Sequence, residues 1–221
     1  MTKQTLLLEH NYKAPVTISE KAPAIIMLHG FGSDENDLFS FASEIPENYH
    51  IISLKAPIAM QPYGNAWYNI YFDDNDGKFS DDEQAIVSRD LISDCIDDII
   101  EKYPVDKNNI TLLGFSQGTI LSFAVALSYP EKVKNVIGLS GYINEAILTK
   151  DFKNNDFSDL HVYTSHGSVD MVIPVTWARK TKPILDALGI DCTYSEFPVG
   201  HGVAPQNFFE FKNWLATVNS L

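Results

Sequence analysis

Cysteine is scarce: the only two, Cys95 and Cys192, stand far apart, one in a helix-like pattern and one in a strand-like pattern. That excludes a disulfide framework and any cysteine-rich metal motif. Basic residues are also few, with 16 Lys and Arg against 29 Asp and Glu, for a net charge of −13. So acidic a chain excludes nucleic acid and anionic membrane surfaces as partners, since both are recognised by basic patches. It also weakly disfavours strongly anionic substrates through the long-range field. Long hydrophobic runs are missing too. The three leucines at 6–8 are followed at once by Glu9 and His10. Neither a signal peptide nor a membrane span is expected, so the expected setting is cytoplasmic, with no stable membrane insertion. What is present is ample apolar material, 45% of the residues, in a length that suits one domain, 1–221.

Strand-like and helix-like runs alternate. The stretches 5–10, 22–30, 50–57, 110–115, 133–141, 160–167 and 191–197 read as strands. Helical spacing covers 35–45, 81–103, 117–129, 174–189 and 205–221. Ser33 or Asp34 would cap the first helix, and Pro183 would kink or restart the fourth. This order predicts an α/β fold, with a mostly parallel central sheet and helices on both faces. The stretch 56–80 fits no element, yet carries Pro57, Pro62, Trp67, Tyr68, Tyr71 and Phe72. Connections of that length often serve as lids or binding loops.

At the join of the 110–115 strand and the helix after it stands Gly114-Phe115-Ser116-Gln117-Gly118, which fits G-x-S-x-G. A strand that turns sharply into a helix can hold its serine in a strained conformation with the side chain exposed, while flanking glycines let backbone pass close by. The plainer reading is a tight turn with serine as an ordinary N-cap.

A nucleophilic serine needs a histidine base, and the histidine an acid that fixes its tautomer. In sheets of this class the chain order is Ser, Asp or Glu, His. His201 lies between Gly200 and Gly202, after the last strand and before the last helix, whereas His161 and His166 share a strand pattern and read as structural or strand-end residues. Asp170 follows a strand; Asp159 precedes one, Asp186 sits within a helix and Asp191 begins a strand. Asp170 is therefore the candidate acid. The backbone N–H groups of Gln117 and of Phe31, in the glycine-rich "LHGFGSDEND" loop, would hold a developing oxyanion. That loop is not followed by the G-K-[ST] of a phosphate loop. The run 72–83 imitates a calcium loop through Asp74, Asp76, Gly77 and Glu83. It has Phe72 at the first ligand position and no preceding helix, so it reads as an acidic, solvated loop.

"LHGFGSDENDL", "KAPI", "AWYNI", "GFSQG", "SHGSVDMVIP" and "GHGV", in this order over nearly the whole chain, resemble the phospholipase/carboxylesterase family. These are small serine α/β-hydrolases, acyl-protein thioesterases among them. The resemblance implies Ser116 as nucleophile, Asp170 as acid, His201 as base, and Phe31 and Gln117 as oxyanion donors. It also implies that Trp67 and its neighbours border the acyl pocket. Thr119 departs from the pattern, where members often carry glycine, and is expected to crowd the first helical turn slightly. The expected activity is hydrolysis of carboxylic esters of short-to-medium acyl chains through an acyl-enzyme, with no cofactor and no metal. The alternatives are an acyl-protein thioesterase or lysophospholipase and, from another class, a non-catalytic ligand-binding protein. The expected partner is a small ester or thioester, and a homodimer is compatible with the chain.

Overall fold

The computed structural model describes residues 2–17, 20–72 and 78–218. Strands β1 (His10–Lys13), β2 (Ala22–Leu28) and β3 (His50–Leu54) come first. Two short hairpins follow, β4 (Ile58–Ala59) with β5 (Asn65–Ala66) and β6 (Ile70–Phe72) with β7 (Lys78–Ser80). Then come α1 (Asp82–Lys102), β8 (Val105–Phe115), α2 (Gln117–Ser128), β9 (Asn135–Leu139) and β10 (His161–Gly167). The chain ends with α3 (Val175–Ala178), α4 (Thr181–Ala187), β11 (Asp191–Phe197) and α5 (Pro205–Val218). Seven strands form one sheet in the order β1-β3-β2-β8-β9-β10-β11, parallel throughout except for β1.

The two-residue period of a strand sends alternate side chains to opposite faces. On β2, Ala24, Ile26 and Leu28 join Ile92 and Ile96 of α1 and Phe123 of α2. Ile25 and Met27 join Leu38 and, from α5, Phe211 and Leu215 on the other face. The near-continuous apolar runs of the parallel strands follow from this double burial. From β2 the chain moves outward to β3, then returns to place β8 on the other side of β2. The loops after β2 and β8 therefore flank the crevice at the switch point, where open α/β sheets bind ligands.

Four local readings need correction. Residues 5–9 lie outside the strands. Leu6 and Leu8 pack into the core beside α1, and the Leu7 N–H donates to Asp98 Oδ2 (2.9 Å), so the alternation there serves a helix surface. The helix expected over 35–45 is only a 3-10 helix, Leu38–Ser43. Asp34 Oδ1 accepts the Asn36 N–H (2.8 Å) and Ser33 Oγ donates to Asp37 Oδ2 (2.9 Å), so the expected caps are spent on turns and the helix starts late. The break in 174–189 falls at Arg179 and Lys180. Pro183 lies in the first turn of α4, where a missing N–H costs no helical bond. The stretch 56–80 contains two hairpins, so it is more regular than its sequence pattern suggests.

Candidate active site

Ser116 stands between the end of β8 and the first residue of α2, with φ 54° and ψ −115°. A non-glycine residue at positive φ costs on the order of 1–3 kcal/mol and persists only where its surroundings enforce it. The Ser116 N–H donates to Leu139 O (2.8 Å), and the Ser116 carbonyl accepts the Ile120 N–H (3.1 Å) that opens the helix. A Cβ at Gly118 would collide with the Leu28 carbonyl, so glycine lets α2 begin hard against the end of β2. The serine side chain is less open than a turn tip would suggest, with 8% of the residue exposed.

Asp170 lies in the loop after β10, and His201 in the loop after β11. A Cβ at Gly167 would meet the Gly200 carbonyl; its absence lets the two loops approach. His201 Nε2 is 2.9 Å from Ser116 Oγ, and His201 Nδ1 is 2.7 Å from Asp170 Oδ2. The Phe115 ring packs on the His201 ring at 5.0 Å between centroids. The other carboxylate oxygen, Asp170 Oδ1, accepts the N–H groups of Val172 (2.8 Å) and Ile173 (2.9 Å). Burial alone would raise the Asp170 pKa. The hydrogen bonds from His201, Ile173 and Val172 outweigh it, and the carboxyl lies below its ordinary value. Among the other downstream carboxylates, Asp186 pairs with Lys182 (2.7 Å) and Glu196 with Arg179 (2.7 and 2.8 Å).

The N–H groups of Phe31 and Gln117 donate to no other described residue. The loop bearing Phe31 is pinned against β5 by the Gly32 N–H to Asn65 O (2.9 Å) and the Asn65 N–H to Ser33 O (2.7 Å). Below it, buried His29 donates from Nδ1 to Gly30 O (2.8 Å) and accepts the Ala56 N–H at Nε2 (3.0 Å), which assigns its neutral tautomer. The Gln117 side chain accepts the Trp67 N–H and donates to Tyr68 O, both at 2.8 Å.

Trp67, expected at the acyl pocket, is fully buried outside it. Its indole N–H donates to His29 O (3.0 Å), so it supports the loop that bears Phe31, and its neighbour Tyr68 lines the cavity instead. Thr119 does not crowd its helix. Its Oγ1 donates to Leu139 O (2.7 Å), the acceptor that also holds Ser116, and its methyl fits beside Gly138 and Gly141. His166, read as a structural or strand-end residue, reaches Asp170. Its Nε2–H donates to Ile173 O (2.9 Å) and lies 3.3 Å from Asp170 Oδ2. Its position at the end of the strand before Asp170 was the available signal.

Ser116 and His201 open on a cavity of about 450 Å³, walled by Tyr68, Ile70, Ile120 and Tyr142 among others. Among the described residues no group of three His, Cys, Asp or Glu is placed to hold a metal. The calcium-like positions Asp74, Asp76 and Gly77 lie outside the described residues.

The family model described as phospholipase/carboxylesterase matches residues 14–219. Acyl-protein thioesterase 1 of Schizosaccharomyces pombe is 26% identical over 205 residues, 88% of this chain and 90% of that protein. Lysophospholipase-like protein 1 of Mus musculus is 26% identical over 129 residues, and the match spans 58% of this chain and about half of that protein, 54%. Among solved structures, a carboxylesterase of Bacillus cereus superimposes with a TM-score of 0.83 at 17% identity, covering 96% of this chain and 95% of the other, a likeness of fold.

Proposed function

The chain belongs to the phospholipase/carboxylesterase family and is a carboxylic ester hydrolase, and from that premise we propose that it cleaves esters of short-to-medium acyl chains through an acyl-enzyme on Ser116. The observation that carries this reading is the unbroken chain from Ser116 Oγ through His201 to Asp170, at 2.9 and 2.7 Å, on the wall of the cavity.

In the proposed reaction Ser116 Oγ attacks the ester carbonyl carbon as His201 Nε2 takes the hydroxyl proton. The carbonyl oxygen becomes an oxyanion, held by the Phe31 and Gln117 N–H groups. These are fixed before the reaction, so no reorganisation opposes the developing charge. Asp170 keeps the proton of the neutral ring on Nδ1, leaving Nε2 free to accept, and stabilises the imidazolium that forms. The imidazolium returns its proton to the leaving alkoxide as the carbon–oxygen bond breaks. Water then enters, gives a proton to His201 and attacks the acyl carbon. The acid leaves, and Ser116 recovers its proton. The cycle uses no cofactor and no metal.

The cavity volume, at the small end of the range for ligand pockets, fits short-to-medium chains. A thioesterase reading is favoured as the second, because the relatives in Schizosaccharomyces pombe and Candida albicans are named acyl-protein thioesterase 1. Turnover of an acyl-length series of p-nitrophenyl esters, against matched thioesters, separates the two readings. No turnover of either, with no labelling of Ser116 by a serine-reactive phosphonate, would leave a non-catalytic binding protein. The cytoplasm is the proposed setting, since two buried free thiols suit a reducing compartment; cell fractionation checks it. A homodimer is checked by sedimentation.

A further inference from the structure

The cavity beside Ser116 has one feature that ester hydrolysis does not require. Asp82 lines it, and no Lys or Arg is among its described lining residues. Among the described lining residues the only group able to carry positive charge, His201, is already bonded to Asp170. Asn144 Nδ2 donates to Asp82 Oδ1 (3.0 Å), a neutral partner that orients the carboxylate without cancelling its charge.

Asp82 is the first residue of α1, where free N–H groups and the macrodipole favour an anion. That helix end faces its carboxylate at the cavity wall, and none of the described residues forms an ion pair with it. Around it the cavity is aromatic: Tyr68, Tyr142 and Trp177 all line it. The Tyr142 and Trp177 rings meet edge-on, 5.2 Å apart and 71° inclined, forming a corner. Burial raises the phenol pKa of both tyrosines; Asp82 adds to it at Tyr142, and Tyr142 and then Asp82 add to it at Tyr68, so both rings stay neutral. A carboxylate and several aromatic rings lining one cavity make an environment that attracts a cation, above all a poorly hydrated one. The field of a chain with net charge −13 acts in the same direction.

We propose that this cavity selects an ester or thioester whose acyl or alcohol part carries an ammonium or quaternary ammonium group, held by Asp82 among the rings of Tyr68, Tyr142 and Trp177. The inference rests on the serine-esterase reading above and names the substrate class for that same site. An ester ending in a carboxylate or bare phosphate is disfavoured by the same charge.

Two matched substrate pairs test it. In one the charge is on the alcohol: acetylcholine against its uncharged carbon isostere. In the other it is on the acyl group: p-nitrophenyl trimethylammoniobutanoate against its uncharged carbon isostere. The readout is the ratio of kcat/KM, cation over isostere, at low salt. The ratio does not depend on how much of a preparation is folded. The wild type should favour the cation roughly tenfold in at least one pair, the size expected of a cation–π contact with a partly exposed ion pair. Asp82→Asn keeps the shape and an acceptor for Asn144, and should lower that ratio several-fold, leaving only the share of the rings. A wild-type ratio at or below unity in both pairs overturns the proposal, as does a preference that is undiminished in Asp82→Asn. Hydrolysis of the uncharged isosteres reports separately on the esterase reading. If no member of either pair is hydrolysed, that reading fails first and this one falls with it.

Discussion

The reaction centre and the connection that walls it are held in place by different means. Ser116, Asp170 and His201 each follow a strand of one sheet, β8, β10 and β11. Their separations are set by backbone pairing, such as Gly114 opposite Gly138 and Ser165 opposite both Leu139 and Ser195. Beyond its own hairpin pairing and the backbone bonds of Asn65 with Gly32 and Ser33, the wall over 56–72 is held by single polar side chains that reach its backbone. Asn65 Nδ2 donates to Ala56 O (3.1 Å), Gln84 Oε1 accepts the Asn69 N–H (3.0 Å), Ser88 Oγ donates to Trp67 O, and Gln117 holds both Trp67 and Tyr68. Register survives most single substitutions, but a lone side-chain hydrogen bond does not. Mutations in the two regions should therefore separate, with kcat carrying the first and KM the second.

The largest effect belongs to the centre. Ser116→Ala should lower kcat by about 10⁵ to 10⁶ and abolish phosphonate labelling, measured on a p-nitrophenyl ester. Labelling that persists at another serine removes Ser116 from the reaction. Asp170→Asn presents an N–H to the ring and favours the wrong tautomer, so kcat should fall on the order of 10³ to 10⁴ with little change in KM. Asp186→Asn, whose carboxylate pairs with Lys182 on the surface, should keep near-normal turnover. If Asp170→Asn retains more than about a tenth of wild-type kcat, another group orients His201.

Gln117→Ala sharpens the comparison from the other side. It keeps the backbone N–H assigned to the oxyanion and removes both hydrogen bonds to the wall. Each is worth about 1 kcal/mol, so kcat/KM should drop roughly tenfold through KM as Tyr68 loses its position. A fall in kcat at constant KM would merge the two regions into one unit.

The same contrast explains what was legible in the sequence. The sheet was, because parallel strands buried on both faces leave apolar runs such as "AIIML" that helical spacing cannot imitate. The grouping of Ser116, Asp170 and His201 was legible because each follows a strand-like stretch, and chain order limits the choices. The wall was not. Trp67 and Tyr68 look equivalent in "AWYNI", and which ring faces the cavity depends on the indole N–H meeting the His29 carbonyl, a contact across 38 positions. Asp82 reads as ordinary first-turn chemistry until the fold brings Tyr142 and Trp177 beside it. Thr119 reads as crowding until Gly138 and Gly141 make room for it.

The smallest effect is expected where the two regions join, at His29. Its Nδ1–H holds the Gly30 carbonyl of the oxyanion loop, its Nε2 holds the Ala56 N–H of the connection, and its own carbonyl holds Trp67. Burial lowers its pKa below the ordinary 6.5, against opposing pulls from the Gly30 carbonyl and from Asp37, Asp34 and Glu35. Protonation would also set an Nε2–H against the Ala56 N–H, two donors facing each other in the core. The folded chain thus binds this proton less readily than the unfolded chain. Below about pH 6.5 the unfolded state carries more protons, so stability falls as the pH drops through that range and is fully present above it. His10 and His50, whose pKa values are also lowered by burial, add to the same slope. His29→Asn removes only the His29 share. Between pH 7.5 and 5.0 the wild-type Tm should therefore fall by about 2–4 °C more than that of the variant, as a loss near 1 kcal/mol gives in a domain of this size. Equal losses in the two proteins would show that His29 does not couple the loop and the connection through its protonation state.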